Sequence, residues 1–330
     1  MEARGPGPRP MVLVGVTLAL FLVWSSTFLA FETLLAPPSG EAPLRWVDLL
    51  AARFVPAAIL CGGWCLLFRR AESAAIVRRH GGRLLLAGLL CVPGYNALLY
   101  HGMEGRVEGP IASVLTSLTP LYLAVLGAAF LGERMTARKV AGLALGFGGV
   151  ALLATARQGG GASRAILVAE VALAPLCWSC FSALTRPVAR EHPPLVWTFL
   201  VLAAGGVLST PLLFLADFGR IAALDGKGIA MVAGLVLLAT VFGFAAWSWL
   251  LSHLPASTVG LTVFLNPPLT MGSKFVLAAL LPASFVITIT PREWAGGALA
   301  LLGVAAAVIP FNGARGTTTT PRDGEAPPSR

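Results

Sequence analysis

Charge is scarce in this sequence. Only 12% of its 330 residues are Asp, Glu, Lys or Arg, and just 15 are acidic. Soluble domains carry roughly 25% charged residues, so a chain of this length has too little charge to coat a water-soluble globule. Histidine is rare too, at 4 residues, and His80, His101, His192 and His253 are scattered. No carboxylate pair recurs, which argues against an acid–base or metal-dependent enzyme. No Gly-x-x-x-x-Gly-Lys-Ser/Thr run is present, which argues against direct ATP hydrolysis. The five cysteines (Cys61, Cys65, Cys91, Cys177, Cys180) all lie in apolar runs. Cys177-x-x-Cys180 has no His, Asp or Glu beside it to complete a zinc site, so it reads as a pair of small hydrophobes. No metal and no cofactor is expected.

What fills the chain instead is apolar: 56% hydrophobic residues and a mean hydropathy of +0.80. An integral membrane protein is the simplest reading. The net charge is +9, but the basic residues sit in short gaps between apolar runs. They carry topology information and are not a nucleic-acid footprint.

A helix needs about 20 apolar residues to cross a bilayer. That rule predicts an all-α protein of ten transmembrane helices, near 11–35, 49–68, 84–103, 110–131, 140–155, 165–184, 195–215, 229–251, 258–281 and 294–310. The first run is too long for the apolar part of a signal peptide and is read as a retained span. Residues 1–10 form a tail, and the polar residues 311–330 read as disordered. With both termini cytoplasmic, fifteen Lys and Arg side chains fall inside and eight outside. That bias supports both termini inside, and the expected location is the cytoplasmic membrane.

The spans repeat. Trp24-Ser25-Ser26 returns as Trp178-Ser179-Cys180, 154 positions on. Val107–Pro120 returns as Leu254–Pro267, and Thr136–Gly142 as Thr290–Gly296. The chain is thus read as two five-helix units, 11–155 and 165–310, joined by a linker at 156–164. An odd number of spans per unit inverts the second copy. Inverted repeats are a recurrent transporter design, with solute bound near the midplane between the halves.

Several stretches resemble the drug/metabolite transporter superfamily, EamA family. They are WSSTF at Trp24–Phe28, LLAARF at Leu49–Phe54, and TPLYLAVLGAAFLGERMT at Thr119–Thr136. VAGLALGFGGVALL at Val140–Leu153, LAPLCWSCFSALTR at Leu173–Arg186 and the run Trp247–Leu269 complete the set. The resemblance implies a ten-span secondary transporter, often an exporter of small metabolites, amino acids or drugs. It also implies a central cavity lined from both halves, with the fifth and tenth spans peripheral. The second copy lacks the Gly-Glu turn of the first; Leu281–Trp294 is longer there.

Candidate residues follow. Pro120 and Pro267 each interrupt an apolar run and would free a backbone carbonyl as mid-helix bends. Asn266 offers an amide beside the second. Lys274 lies mid-span, where a charge costs roughly 2.5–3.5 kcal/mol. It could bind an anionic group, exchange a proton, pair with a carboxylate or snorkel. Glu32 and Arg53, near the outer ends of the first two spans, are read as a mutual ion pair. Glu170 is a lesser proton-coupling candidate, and Glu104 and Glu108 read as solvated loop charges. Trp24, Ser25, Tyr95, Asn96, Tyr100, Trp178, Ser179 and Trp247 supply aromatic, amide and hydroxyl groups. Together they suit a neutral or zwitterionic organic solute. Gly142-x-x-x-Gly146 and Gly296-x-x-x-Ala300 allow close helix packing, internally or across a homodimer. The expected partners are the bilayer, a small-molecule solute and a coupling proton. An integral membrane enzyme acting on lipid-linked substrates is the alternative; a receptor or scaffold lacks the long-loop domains it would need.

Overall fold

The computed structural model describes residues 9–36, 43–130, 136–156, 161–254, 256–280 and 289–308. Among these the secondary structure is entirely helical. Residues 1–8, Glu133-Arg134, 281–288 and the C-terminal tail lie outside them. Seven described helical stretches are long and apolar enough to cross a membrane, and the chain is a multi-pass membrane protein. The physical cause is plain: in hydrocarbon every backbone N–H and C=O must be bonded internally, which a helix does within one segment.

In chain order the helices are α1 (Pro10–Leu35), α2 (Trp46–Phe68), α3 (Arg70–Leu89), α4 (Tyr95–Glu104), α5 (Gly109–Thr116), α6 (Thr119–Phe130) and α7 (Ala137–Thr155). The second half holds α8 (Gly161–Glu191), α9 (Pro194–Leu208), α10 (Thr210–Leu213), α11 (Phe218–Ala222), α12 (Gly226–Gly234), α13 (Gly243–His253), α14 (Ala256–Thr262), α15 (Asn266–Leu280) and α16 (Pro291–Val308). The expected seventh span is the shorter apolar helix α9, which stops at Leu208, short of the expected Leu215; Ser209 ends it and the short α10 follows.

Packing between the halves is reciprocal. α1 lies against α15, and α8 against α6; α2 lies against α9, and α7 against α16. Equivalent helices also begin alike. Thr136 accepts from the Lys139 N–H at the start of α7, and Thr290 accepts from the Glu293 N–H at the start of α16. Glu293 in turn accepts from the Thr290 N–H at 2.8 Å and from Arg164 at 2.6 Å.

The small-residue faces of α7 and α16 meet each other. A methyl group on Gly149 would lie 2.6 Å from the Gly296 oxygen, and one on Gly303 would lie 2.7 Å from the Gly142 oxygen. These faces are therefore used inside the molecule.

Two helices that the sequence presents as continuous are broken. The fourth span divides into α5 and α6 at Ser117-Leu118, and the ninth into α14 and α15 through a 3₁₀ turn at Val263–Leu265. Pro120 and Pro267 are not mid-helix bends. Each is the second residue of the helix that follows the break, where proline's missing N–H is tolerated. The carbonyls four residues earlier are still supplied with donors. Thr119 Oγ1 donates to Thr116 O at 2.8 Å, while Asn266 N–H and Ser117 Oγ, the latter at 3.4 Å, donate to Val263 O.

Candidate functional site

Two further irregularities sit beside these breaks. A π-helical turn at Leu90–Gly94 joins α3 to α4, and a longer one at Leu235–Phe242 joins α12 to α13. Pro93 lies inside the first, and the Asn96 amide donates to both Cys91 O and Val92 O at 3.0 Å. In the second, Thr240 Oγ1 donates to Leu235 O at 2.8 Å. Such π-turns concentrate at functional sites because they aim side chains off the regular helical register.

Breaks and π-turns converge on a cavity of about 50 Å³. Its polar lining comes from Thr27, Arg53, Asn96, Thr116, Thr119 and Asn266, and its walls are Trp24, Phe28, Phe31, Tyr95, Trp178 and Phe244, with Leu99 and Val263. A volume of this size holds only a few waters. Both halves contribute. Trp24 on α1 and Trp178 on α8, the repeated tryptophans, meet edge to face at 5.4 Å. Trp178 also packs on Phe244 at 5.3 Å and on Tyr95 at 5.3 Å. The Trp24 indole N–H is fixed by Ala239 O at 3.0 Å.

Five of the ten cavity candidates line this space: Trp24, Tyr95, Asn96, Trp178 and Asn266. The other five are outside its lining. Trp247 supports it from behind, 5.5 Å from both tryptophans, with its N–H on Ser182 Oγ. Ser25 O accepts from Thr270, and Ser179 Oγ donates to Thr119 O, so both serines tie helices together. Tyr100 lies beneath Arg53. Thr27, Phe28, Phe31, Thr116, Thr119 and Phe244 also line it but were not among the candidates, since apolar and hydroxyl residues are the ordinary content of such helices.

Glu32 and Arg53 do not pair. Glu32 accepts from Lys274 Nζ at 2.7 Å, and its other oxygen accepts from the Gly109 N–H at 3.1 Å. The carboxylate thus sits on the positive N-terminus of α5, which favours an anion. Gly109 permits this approach: a Cβ there would come within 2.9 Å of Phe28 O. Glu108 is buried, 3.7 Å from Lys274, and is not a solvated loop charge. Glu104 accepts from the Trp46 N–H at 3.2 Å. Lys274 is fully buried and belongs to this ionic cluster, not to the cavity lining. Glu170, the lesser proton-coupling candidate, lies 2.7 Å from His101 Nδ1.

Arg53 takes neutral partners instead. Its Nε donates to Thr240 Oγ1 at 2.7 Å and its Nη1 to Tyr100 Oη at 2.5 Å. Phe54 and Phe31 lie 4.9 and 5.6 Å from its Cζ. The histidines, too, are less scattered than the sequence suggests. His80 and His192 stack 5.4 Å apart, and their ring nitrogens lie with the Glu191 carboxylate within 4.8 Å of one another. None of these three lines the central cavity.

The model of the EamA-like transporter family matches residues 11–155 and again 164–309. The chain belongs to the EamA-like transporter family. Among its relatives is a probable terminal-alkyne amino-acid exporter of Streptantibioticus cattleyicolor, 30% identical over 69% of this chain and 74% of that one. A probable amino-acid metabolite efflux pump of Salmonella typhimurium is 25% identical over 69% of this chain and 77% of that protein. A crystallised protein 19% identical shares the fold, with a TM-score of 0.57 over 91% of this chain and 98% of its own. Membership of this transporter family, with the apolar helices as the membrane-crossing parts, makes the chain a membrane transporter.

Proposed function

We propose that this EamA-family member is a secondary exporter. It would move a small organic metabolite, amino acid or drug-like solute across the cytoplasmic membrane by alternating access. The observation that carries the reading is the central cavity, walled by Trp24 and Trp178 from equivalent places in the two halves. The reciprocal packing of α1 on α15 and α8 on α6 supports two inverted five-span repeats that rock about that cavity. Its small size suits a state closed to both sides. The names of the Streptantibioticus and Salmonella relatives favour export and amino-acid-like cargo.

On this reading both termini are cytoplasmic, and a proton gradient drives the cycle. Lys274 and its carboxylate neighbours Glu32 and Glu108 are the membrane-embedded groups suited to carry a proton, because any change in their protonation alters the contact between α1, α5 and α15. The test is efflux from proteoliposomes loaded with a broad metabolite mixture, with and without an imposed pH gradient. Export of a defined subset, accelerated by the gradient, is the expected result. Release that is indifferent to both the gradient and the chemistry of the solute would end the coupled-exporter reading.

A further inference from the structure

Resting on the exporter reading, we infer that the solute is a zwitterion. Its carboxylate is taken by the free edge of Arg53, and its protonated amine by Asn266 Oδ1 against the tryptophan walls. Arg53 is 4% exposed and lies in the membrane part of α2. A guanidinium stays charged under all ordinary conditions, and a buried charge without a counter-charge is strongly disfavoured. Among the described residues no carboxylate comes within ion-pair distance of it. Lys274, the other cation buried this deeply in the membrane part, has two carboxylates beside it.

The neighbours of Arg53 orient it without neutralising it. Thr240 has its own proton committed to Leu235 O, so it offers only a lone pair to Nε. Tyr100 fixes Nη1. Nη2 donates to nothing among the described residues, and the residue lines the cavity. A planar cation held on one side, with N–H groups left on the other, matches a carboxylate.

Asn266 supplies the complement. It is 5% exposed, lines the same cavity, and its Oδ1 has no hydrogen-bond partner. A buried acceptor left without a donor asks for one from the ligand. Trp24 and Trp178 line the same cavity, and an electron-rich indole favours a cation over an anion. One guanidinium with one acceptor suits a single carboxylate and a single ammonium. The apolar walls leave an uncharged, compact side chain as the remainder. A phosphate monoester or dicarboxylate would bring a second negative charge with nothing to meet it.

The experiment uses full-length protein in proteoliposomes and a matched set: L-norleucine, its amide, pentylamine and hexanoate, with L-2-aminobutanoate as a shorter zwitterion. Binding is read from tryptophan fluorescence and transport from counterflow. The wild type is expected to prefer a zwitterion at least tenfold over the amide, the amine and the deaminated acid. Arg53→Gln should erase the preference over the amide, Arg53→Lys should keep part of it, and Asn266→Leu should erase the preference over hexanoate.

Equal handling of norleucine and its amide by the wild type would overturn the carboxylate anchor. Equal handling of norleucine and hexanoate would overturn the role of Asn266. Both comparisons need only wild-type protein, so they decide the matter even if Arg53→Gln does not fold. Failure of every zwitterion, while other metabolites are exported, overturns this inference and leaves the exporter reading standing. Failure of export for all solutes removes the exporter reading itself.

Discussion

Lys274 and Arg53 are both buried cations inside apolar helices, and the molecule treats them in opposite ways. Lys274 is met by Glu32 at 2.7 Å and Glu108 at 3.7 Å, where α1, α5 and α15 come together. Arg53 is met by a phenol, a threonine hydroxyl and two phenyl rings. The first is charge-balanced by groups of the protein itself. The second is a charge kept in place and left incomplete on the side of the cavity. Burial alone therefore does not mark a binding residue; an unbalanced electrostatic environment does.

The sharpest way to break this contrast is Lys274→Met. It strands buried carboxylates without their ammonium and is expected to cost about 3–5 kcal/mol, measured by thermal unfolding of the purified protein in detergent. Adding Glu32→Gln should recover part of that loss; no recovery would show that the pair is not the source of the stability.

A packing lesion away from both cations comes next. Gly149→Leu forces α7 off α16 and should destabilise by about 1–3 kcal/mol, with the solute preference of whatever protein folds left unchanged. A shift in preference would mean that the seam shapes the cavity. Thr119→Val removes the donor on Thr116 O beside Pro120 and should cost about 1 kcal/mol. The smallest stability effect is expected of Arg53→Leu, within about 1 kcal/mol of wild type or slightly positive, since an unbalanced charge is removed. Its transport should be lost. A large drop in melting temperature for this variant would show that Arg53, like Lys274, is balanced by its own surroundings.

Much of this architecture is written in local patterns. Apolar run lengths marked the seven stretches long enough to cross a membrane among the described residues, and the tryptophan motif at Trp24 and Trp178 marked two walls of one cavity. Pro120 and Pro267 signalled irregular helices, but not which side of the break they occupy. That depends on the cost of a missing N–H, which is lowest in a first turn. Partner choice was not legible. Glu32 and Arg53 are neighbours in adjacent spans, yet Glu32 finds its cation 242 residues away. Such pairings are set by helix rotation and by the reciprocal packing of the halves, and neither leaves a trace in spacing. Phe244 and Val263 carried no signal because one more apolar residue in an apolar helix is uninformative.

The glycine seam has a consequence for how the protein is made. α7 leaves the ribosome early, but the helix that covers its bare backbone face is α16, which begins at Pro291. At roughly 5–20 residues per second, translating the stretch between them takes on the order of 7–27 s. For that interval the first half is complete in sequence but open on one side, with a face fitted to a helix that does not yet exist. A chain that stalls before Pro291 would carry that open face into the bilayer, where it becomes a handle for membrane quality control.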